Sequence, residues 1–316
     1  MPAKKVTSYV CELTAGQVRE FKQALALVSW EFDELQHARW RARKGKTTIV
    51  AYESGKLVVQ GRGTVEVVEF ILEPQILGEA RMGNEVLYAQ QEKPDMFQAH
   101  AGIDESGKGD YFGPLVVSAV YVTEESAAKL FAAGVQDSKA IKSDRKIREL
   151  SATIREVVGR DFTVVTLGPC AYNKAYDKIG NLNRLLAWGH ARTLENLLER
   201  HPACRRVLAD KFADERVMRG ALMERGRAIA FEARTKAEDD IAVAAASILA
   251  REGFIRRLAE LEDQAGLRLP RGASAVIRPA AAVIGKVGLE GLAEFAKLHF
   301  KTTDRAIAMA KSNATE

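Results

Sequence analysis

Residues 102–113 set four glycines and three acidic residues into a dozen positions, and a valine-rich run, residues 115–122, follows at once. The interior of a buried strand does not carry that mixture, because glycine gives up packing and an unpaired carboxylate is costly to bury. The end of a strand entering a glycine loop does. There, carboxylate oxygens suit a hard divalent cation, and glycine lets backbone amides come close to a phosphate. The segment is predicted to run strand, glycine loop, strand, with a site where the first strand ends.

The rest of the chain supports an α/β unit built around that segment. Helices are predicted at residues 124–133, 143–158, 182–200 and 239–261, with a turn at 136–139. Strands are predicted at 115–122, 162–167, 206–209 and near 228–231, and a helical tail at 288–309 closes the unit. Strands alternating with helices in this way indicate a mixed sheet flanked by helices. Residues 1–78 read as a separate small α+β unit. Thr14-Ala15-Gly16-Gln17 has the form of a capping box, and Val18, Phe21, Leu25 and Val28 follow at helical spacing. The alternation in residues 38–43 puts Arg39, Arg41 and Arg43 on one face of a strand. Residues 47–52 and 57–60 are β-rich and joined by Glu53-Ser54-Gly55-Lys56, a hairpin signal, and 65–77 resumes a helical period. The polar stretch 79–101 reads as a linker with at most a short helical piece, giving domains at 1–78 and 102–316.

Composition excludes several classes. The length of 316 residues suits two domains, and 47% hydrophobic with 28% charged residues describes an ordinary globular chain. A net charge of +5 is compatible with a polyanionic partner without requiring one. Cys11, Cys170 and Cys204 show no CxxC spacing, which argues against zinc and a disulfide framework and suits a reducing cytosol. No apolar signal core or membrane-spanning run is present, so a cytoplasmic protein with no membrane association is expected. The histidines (His37, His100, His190, His201, His299) form no HxH or HxxxH pattern, and neither a P-loop nor a GxSxG elbow occurs.

Six acidic residues at three places in the chain remain. Asp104 and Glu105 are neighbours, so on a regular strand their side chains point to opposite faces. A backbone turning into the glycine loop would let both converge, and otherwise they are solvated loop acids. Asp210 directly follows a short apolar strand, at the carboxyl end where open α/β sheets gather their sites, although turn-forming or helix-capping roles also suit it. Glu238, Asp239 and Asp240 precede Ile241-Ala242-Val243-Ala244-Ala245-Ala246-Ser247. Acids are favourable at a helix N-terminus. The run of small residues also implies a helix packed very close to the sheet, bringing those acids with it. Carboxylates converging from separate elements are what Mg2+ or Mn2+ requires.

Residues 102–116 resemble the signature of the type 2 ribonucleases H, and closely that of their HIII branch. Asp137-Ser138-Lys139, Leu208-Ala209-Asp210, the run from Ala242 to Arg251, Leu269-Pro270-Arg271-Gly272-Ala273-Ser274 and Lys297-Leu298-His299-Phe300 match in order. Residues 52–61 resemble the TATA-binding-protein-like domain that marks the HIII branch. The resemblance implies a ribonuclease H-like catalytic domain, with a mixed central sheet flanked by helices, preceded by a small α+β TATA-binding-protein-like domain. It implies an endonuclease acting on the RNA strand of RNA/DNA hybrids through two Mg2+ or Mn2+ ions. The family's acids fall on Asp104, Glu105, Asp210 and, following Lys-Ala, Glu238; a spacing to Val243 one residue shorter than in relatives leaves Asp239 and Asp240 open. The backbone of Gly107, Lys108 and Gly109, beside Ser106, would read the ribose. Lys108 and Lys139 would contact phosphate, and Arg39, Arg41, Arg43 and Lys56 would dock the hybrid on the N-terminal domain, with Lys44, Lys46 and Trp40 close by. A monomer is expected. The alternatives are incision at single ribonucleotides in duplex DNA, as in the HII branch, and a catalytically silent hybrid-binding protein.

Overall fold

A computed structural model describes residues 6–313 and divides into two compact units, the first ending at Glu92 and the second beginning at Lys93. In the first, β1 (Ser8–Glu12), α1 (Ala15–Leu27), β2 (Glu31–Asp33), β3 (Ala38–Lys44), β4 (Thr47–Tyr52) and β5 (Lys56–Gly61) form a five-stranded sheet in the order β1-β5-β4-β3-β2. Every pairing is antiparallel. Thr14 and Gln17 make the expected capping box at α1. Val18, Phe21 and Leu25 pack onto Trp40, Ala42, Ile49 and Leu57. The opposite parity of β3 leaves Arg39 and Arg43 exposed and Arg41 half-buried, on the face away from that core. After α2 (Thr64–Val67) the chain continues as a π-helix, Val68–Leu77. Pro74 lies inside it and cannot donate to an α-helical ladder, so the wider winding has a local cause.

Residues 79–101, read from sequence as a linker, are largely folded. They carry α3 (Glu85–Glu92) and α4 (Pro94–Phe97), and β6 (His100–Ser106) begins within them. Arg81 holds α3 back on its own unit through Glu79 (3.0 Å) and Glu92 (2.5 Å).

The second unit continues with β7 (Leu115–Val122), α5 (Glu124–Ala132), α6 (Asp144–Val158), β8 (Phe162–Leu167), α7 (Pro169–Ile179), α8 (Leu182–Leu198), β9 (Arg206–Asp210), α9 (Glu215–Ala221), β10 (Ala230–Arg234), α10 (Ile241–Ala265), α11 (Ile277–Gly291) and α12 (Thr302–Asn313). Its sheet runs β10-β9-β6-β7-β8, with β9 parallel to β6 and to β10, and β7 antiparallel to β6 and β8. Strand parity sorts the core. Ala101, Ile103, Val117 and Ala119 face α8, burying Leu185, Leu186 and Leu194. The other face takes α10, whose small residues permit very close approach: a Cβ on Gly102 would stand 2.2 Å from the Val243 nitrogen. The tail expected to be helical over 288–309 is interrupted between Glu294 and Thr302. Gly288 leaves helical geometry (φ 76°, ψ 173°), and residues 295–297 instead pair with the loop at 111–113. No helix among the described residues is long and apolar enough to cross a membrane.

Candidate metal centre

β6 and β9 run side by side in register Ala101 with Val207, Gly102 with Leu208 and Ile103 with Ala209. Asp104 and Asp210 are each the next residue, so two carboxylates from separate strands sit side by side at the carboxyl edge of the sheet. The converging turn anticipated for Asp104 and Glu105 is not what the chain adopts. Ser106 still pairs with Val116, so β6 runs regularly through both acids and sends them to opposite faces. Asp104 lies on the α10 face, where its Oδ1 accepts from the Glu105 N–H (2.8 Å) and Ser247 hydrogen-bonds it. Glu105 lies on the α8 face and accepts from His190 Nε2 at 2.9 Å.

The electrostatics of the pair differ accordingly. Burial first, and the charge of Glu105 second, push Asp104 up to about 7. Burial also works to raise Glu105, but the His190 hydrogen bond and charge, followed by the charges of Lys108 and Lys139, outweigh it and hold Glu105 below its ordinary range. Lys139 is exposed, and its Nζ lies 4.0 Å from Glu238 Oε1. Partial burial works to lower Lys139, yet Asp104, Asp137, Glu238 and Asp210 together raise it. One ammonium thus feels acids from four parts of the chain.

The three acids before α10 separate by role. Asp240 is buried and caps the helix: Oδ1 accepts from the Ala242 (2.9 Å) and Val243 (3.3 Å) N–H groups and lies 2.9 Å from His100 Nε2. Asp239 is exposed to solvent. Glu238, in a short 3-10 turn (Ala237–Asp239), has a buried Oε2 without a hydrogen-bond partner.

Among the described residues no group of three or more Asp, Glu, His or Cys side chains is arranged to hold a metal ion as it stands. Strand alternation accounts for part of this, since it sends Asp104 and Glu105 to opposite faces. The donor set nevertheless fits a hard divalent cation. It is all oxygen, it contains an orphaned buried carboxylate atom, and the upward shift of Asp104 is one that a cation would reverse.

The loop beyond β6 carries the remaining candidates. Ser106 is half-buried at the strand end. Gly107 adopts φ 92°, and a Cβ there would meet the Pro114 carbonyl oxygen at 2.1 Å, so packing demands glycine. Gly109 is different: it is exposed, with open space around a hypothetical Cβ. Lys108 Nζ stands 4.0 Å from Glu105 Oε1 and 5.3 Å from the centre of the Phe212 ring. In the first unit, Arg41 is committed to Asp33 by two hydrogen bonds (2.7 and 2.6 Å), and Arg43 approaches the same carboxylate at 3.6 Å. Arg39 donates to the Glu53 carbonyl (3.3 Å), and Lys56 is exposed at the start of β5.

His190, Ser247 and Ser138 are further residues that support the site. Ser138 Oγ lies 2.7 Å from Ser247 Oγ, and Arg251 donates to the Ser138 carbonyl, which ties the segment bearing Lys139 to α10. Both serines fall within family-like segments, so a local signal existed for them. His190 has none: it sits alone on α8, and its partner is 85 residues away in the chain.

Comparison with known proteins agrees with this architecture. The family model described as Ribonuclease HII matches residues 101–303, and a domain of unknown function (DUF3378) matches residues 9–77. Ribonuclease HIII of Protochlamydia amoebophila (strain UWE25) is 43% identical over 269 residues, 85% of this chain and 86% of that protein. Ribonuclease HIII of Chlamydia pneumoniae is 39% identical over 94% of this chain and 97% of its own. The crystal structure of Bst-RNase HIII in complex with Mn2+ superposes with a TM-score of 0.64 at 30% identity, covering 97% of this chain and 100% of that one. Acids at the carboxyl ends of β6 and β9, a glycine loop following the first of them, and relatedness over nearly the whole length agree: the chain belongs to the ribonuclease HIII branch of the type 2 ribonuclease H family.

Proposed function

We propose that this chain is an endonuclease that hydrolyses the RNA strand of RNA/DNA hybrids at the site formed by Asp104, Glu105, Asp210 and Glu238. The observation that carries the reading is that Asp104 and Asp210 each directly follow the last paired residues, Ile103 and Ala209, of adjacent parallel strands, just before the glycine loop. Two divalent ions, Mg2+ or Mn2+, held by these four carboxylates would supply an acidified water for attack on the phosphorus and positive charge beside the leaving 3′-oxygen. A relative solved with Mn2+ supports a divalent cation. His190 orients Glu105, while Ser247 and the Glu105 N–H orient Asp104. Glu238 is preferred over its neighbours because Asp240 is occupied as a helix cap and Asp239 points to solvent. Products carry 3′-hydroxyl and 5′-phosphate ends.

Backbone groups of Gly107, Lys108 and Gly109 distinguish RNA by its 2′-hydroxyls, and the open space at Gly109 supports close approach of a ribose there. Lys108 and Lys139 contact phosphates. The first unit docks the hybrid through Arg39, Arg43 and Lys56, with Arg41 contributing less because Asp33 already holds it. We further propose that the protein acts as a monomer in the cytoplasm, where its free cysteines stay reduced.

A hybrid with four consecutive ribonucleotides and a DNA duplex with one embedded ribonucleotide, assayed side by side, test the reading. Cleavage of the first and not the second is expected. The reverse preference would indicate single-ribonucleotide incision, and binding without cleavage at saturating Mg2+ and Mn2+ would indicate a silent binder.

Metal binding must displace the proton that the raised Asp104 holds below about pH 7, so Mn2+ affinity measured by calorimetry is expected to increase about twentyfold from about pH 5.5 to about pH 7.5. A flat profile would contradict the assignment of Asp104. Combined Arg39→Ala, Arg43→Ala and Lys56→Ala should reduce the slope of log affinity against log salt by about 1 for each phosphate no longer neutralised. An unchanged slope would remove the first unit from hybrid docking.

A further inference from the structure

The motif around Lys297 contributes nothing to the metal centre, yet it packs against the loop that follows β6. Phe112 and Ala296 form an antiparallel bridge. Within it, the Gly113 N–H donates to the Phe295 carbonyl (3.0 Å) and the Lys297 N–H to the Tyr111 carbonyl (2.9 Å). Lys297 itself is fully buried. Its Nζ donates to the carbonyls of Asp110 (2.7 Å) and Gly113 (2.8 Å) and stands 5.6 Å from the centre of the Tyr172 ring.

A buried ammonium is costly, and methionine would fill much the same volume without that cost. What lysine adds is a pair of donors spanning both ends of the turn that leads from Gly109 into β7. Burial brings the amine down to about 7, and even a neutral amine keeps two N–H groups, as many as the two carbonyls accept. The same turn is held from its other side: the Gly272 N–H donates to Asp110 Oδ1 (2.7 Å), and the Tyr111 N–H to the Gly272 carbonyl (2.9 Å). Asn173 anchors the Lys297 segment in turn. Its Nδ2 donates to the Ala293 (3.2 Å) and Ala296 (2.9 Å) carbonyls, and its Oδ1 accepts from the Leu298 N–H (2.9 Å).

We infer that Lys297 is a positioning residue that sets the backbone of the Gly107-Lys108-Gly109 turn through the carbonyls of Asp110 and Gly113, and so governs preference for an RNA-containing duplex without touching it. The inference rests on the reading above that this turn contacts the RNA strand. A merely structural Lys297 would change stability and leave that preference alone.

The test measures affinity for an RNA/DNA hybrid and for a DNA duplex of the same sequence, by fluorescence anisotropy with a chelator present to stop cleavage. Wild type is compared with Lys297→Met and with Gly109→Val, the latter placing a side chain in the open space at the turn. Both variants are expected to lower the ratio of hybrid to duplex affinity, Lys297→Met by roughly tenfold, the scale of one displaced hydrogen-bonding group, with Mn2+ affinity unchanged. A lowered ratio in Gly109→Val alone would overturn the role of Lys297. An unchanged ratio in both would overturn the reading of the turn and the inference with it. Should Lys297→Met fail to fold, Asn173→Ala decides by the same ratio, a lowered value supporting the inference and an unchanged one overturning it.

Discussion

Replacing Asp104 with asparagine is expected to reduce cleavage of an RNA/DNA hybrid by about 10³-fold or more while binding is retained. Asparagine keeps the volume of a nearly fully buried side chain and can still accept from the Glu105 N–H. What disappears is the negative charge at the position where strand register sets it beside Asp210. The same substitution should raise the stability of the metal-free protein. Asp104 titrates higher in the fold than in an unfolded chain, so between about pH 4 and about pH 7 the folded state holds a proton that the unfolded state has released. Stability contributed by that proton is present at low pH and falls as pH rises through this window, and a neutral amide removes the loss. A thermal melt at about pH 8 in chelator, run beside a gel assay, reads both effects. Full activity in the variant would remove Asp104 from the centre.

Gly102→Ala is expected to destabilise the protein by about 3 kcal/mol or more, at or beyond the upper end for overpacking. The added Cβ would lie 2.2 Å from the Val243 nitrogen, 2.3 Å from the Ala242 carbon and 2.7 Å from the Ala242 oxygen. These are backbone atoms of the first turn of α10 and cannot rotate aside, so the helix must lift from β6. That displacement carries the Asp240 cap away from His100 and Ser247 away from Asp104, so activity falls with stability. Urea denaturation gives the first quantity and single-turnover cleavage the second. A stability change under about 1 kcal/mol would contradict the close approach of helix and strand.

The parts of this fold legible in the sequence are those that local chemistry determines. β7 and β8 have the boundaries that their β-branched runs predict, and Thr14 and Gln17 make the box that their spacing suggests. The alanines of α10 announced a helix close against the sheet, and the position of Asp210 after an apolar strand placed it at the edge where Asp104 lies. The features that were not legible depend on partners remote in the chain. His100 and Asp240 are 140 residues apart, and neither carries a local sign of the pairing. The divergence of Asp104 and Glu105 follows from how far β7 extends its pairing along β6, as far as Ser106 with Val116. Helical periodicity between Phe295 and Lys301 was overridden in the same way, where the bridge between Phe112 and Ala296 separates α11 and its terminal 3-10 turn from α12.

Carboxylates from β6, β9 and the turn before α10 are held to act together, with divalent metal, to cut RNA in a hybrid. The most direct test is single-turnover cleavage of a hybrid carrying distinguishable labels on its two strands, by the wild type and by Asp210→Asn, with Mn2+ and with chelator. Only the RNA strand is expected to be cut, leaving 5′-phosphate ends, and cutting is expected to disappear both in chelator and in the Asp210→Asn variant. Cleavage of the DNA strand, persistence in chelator, or full activity of Asp210→Asn would contradict that joint action.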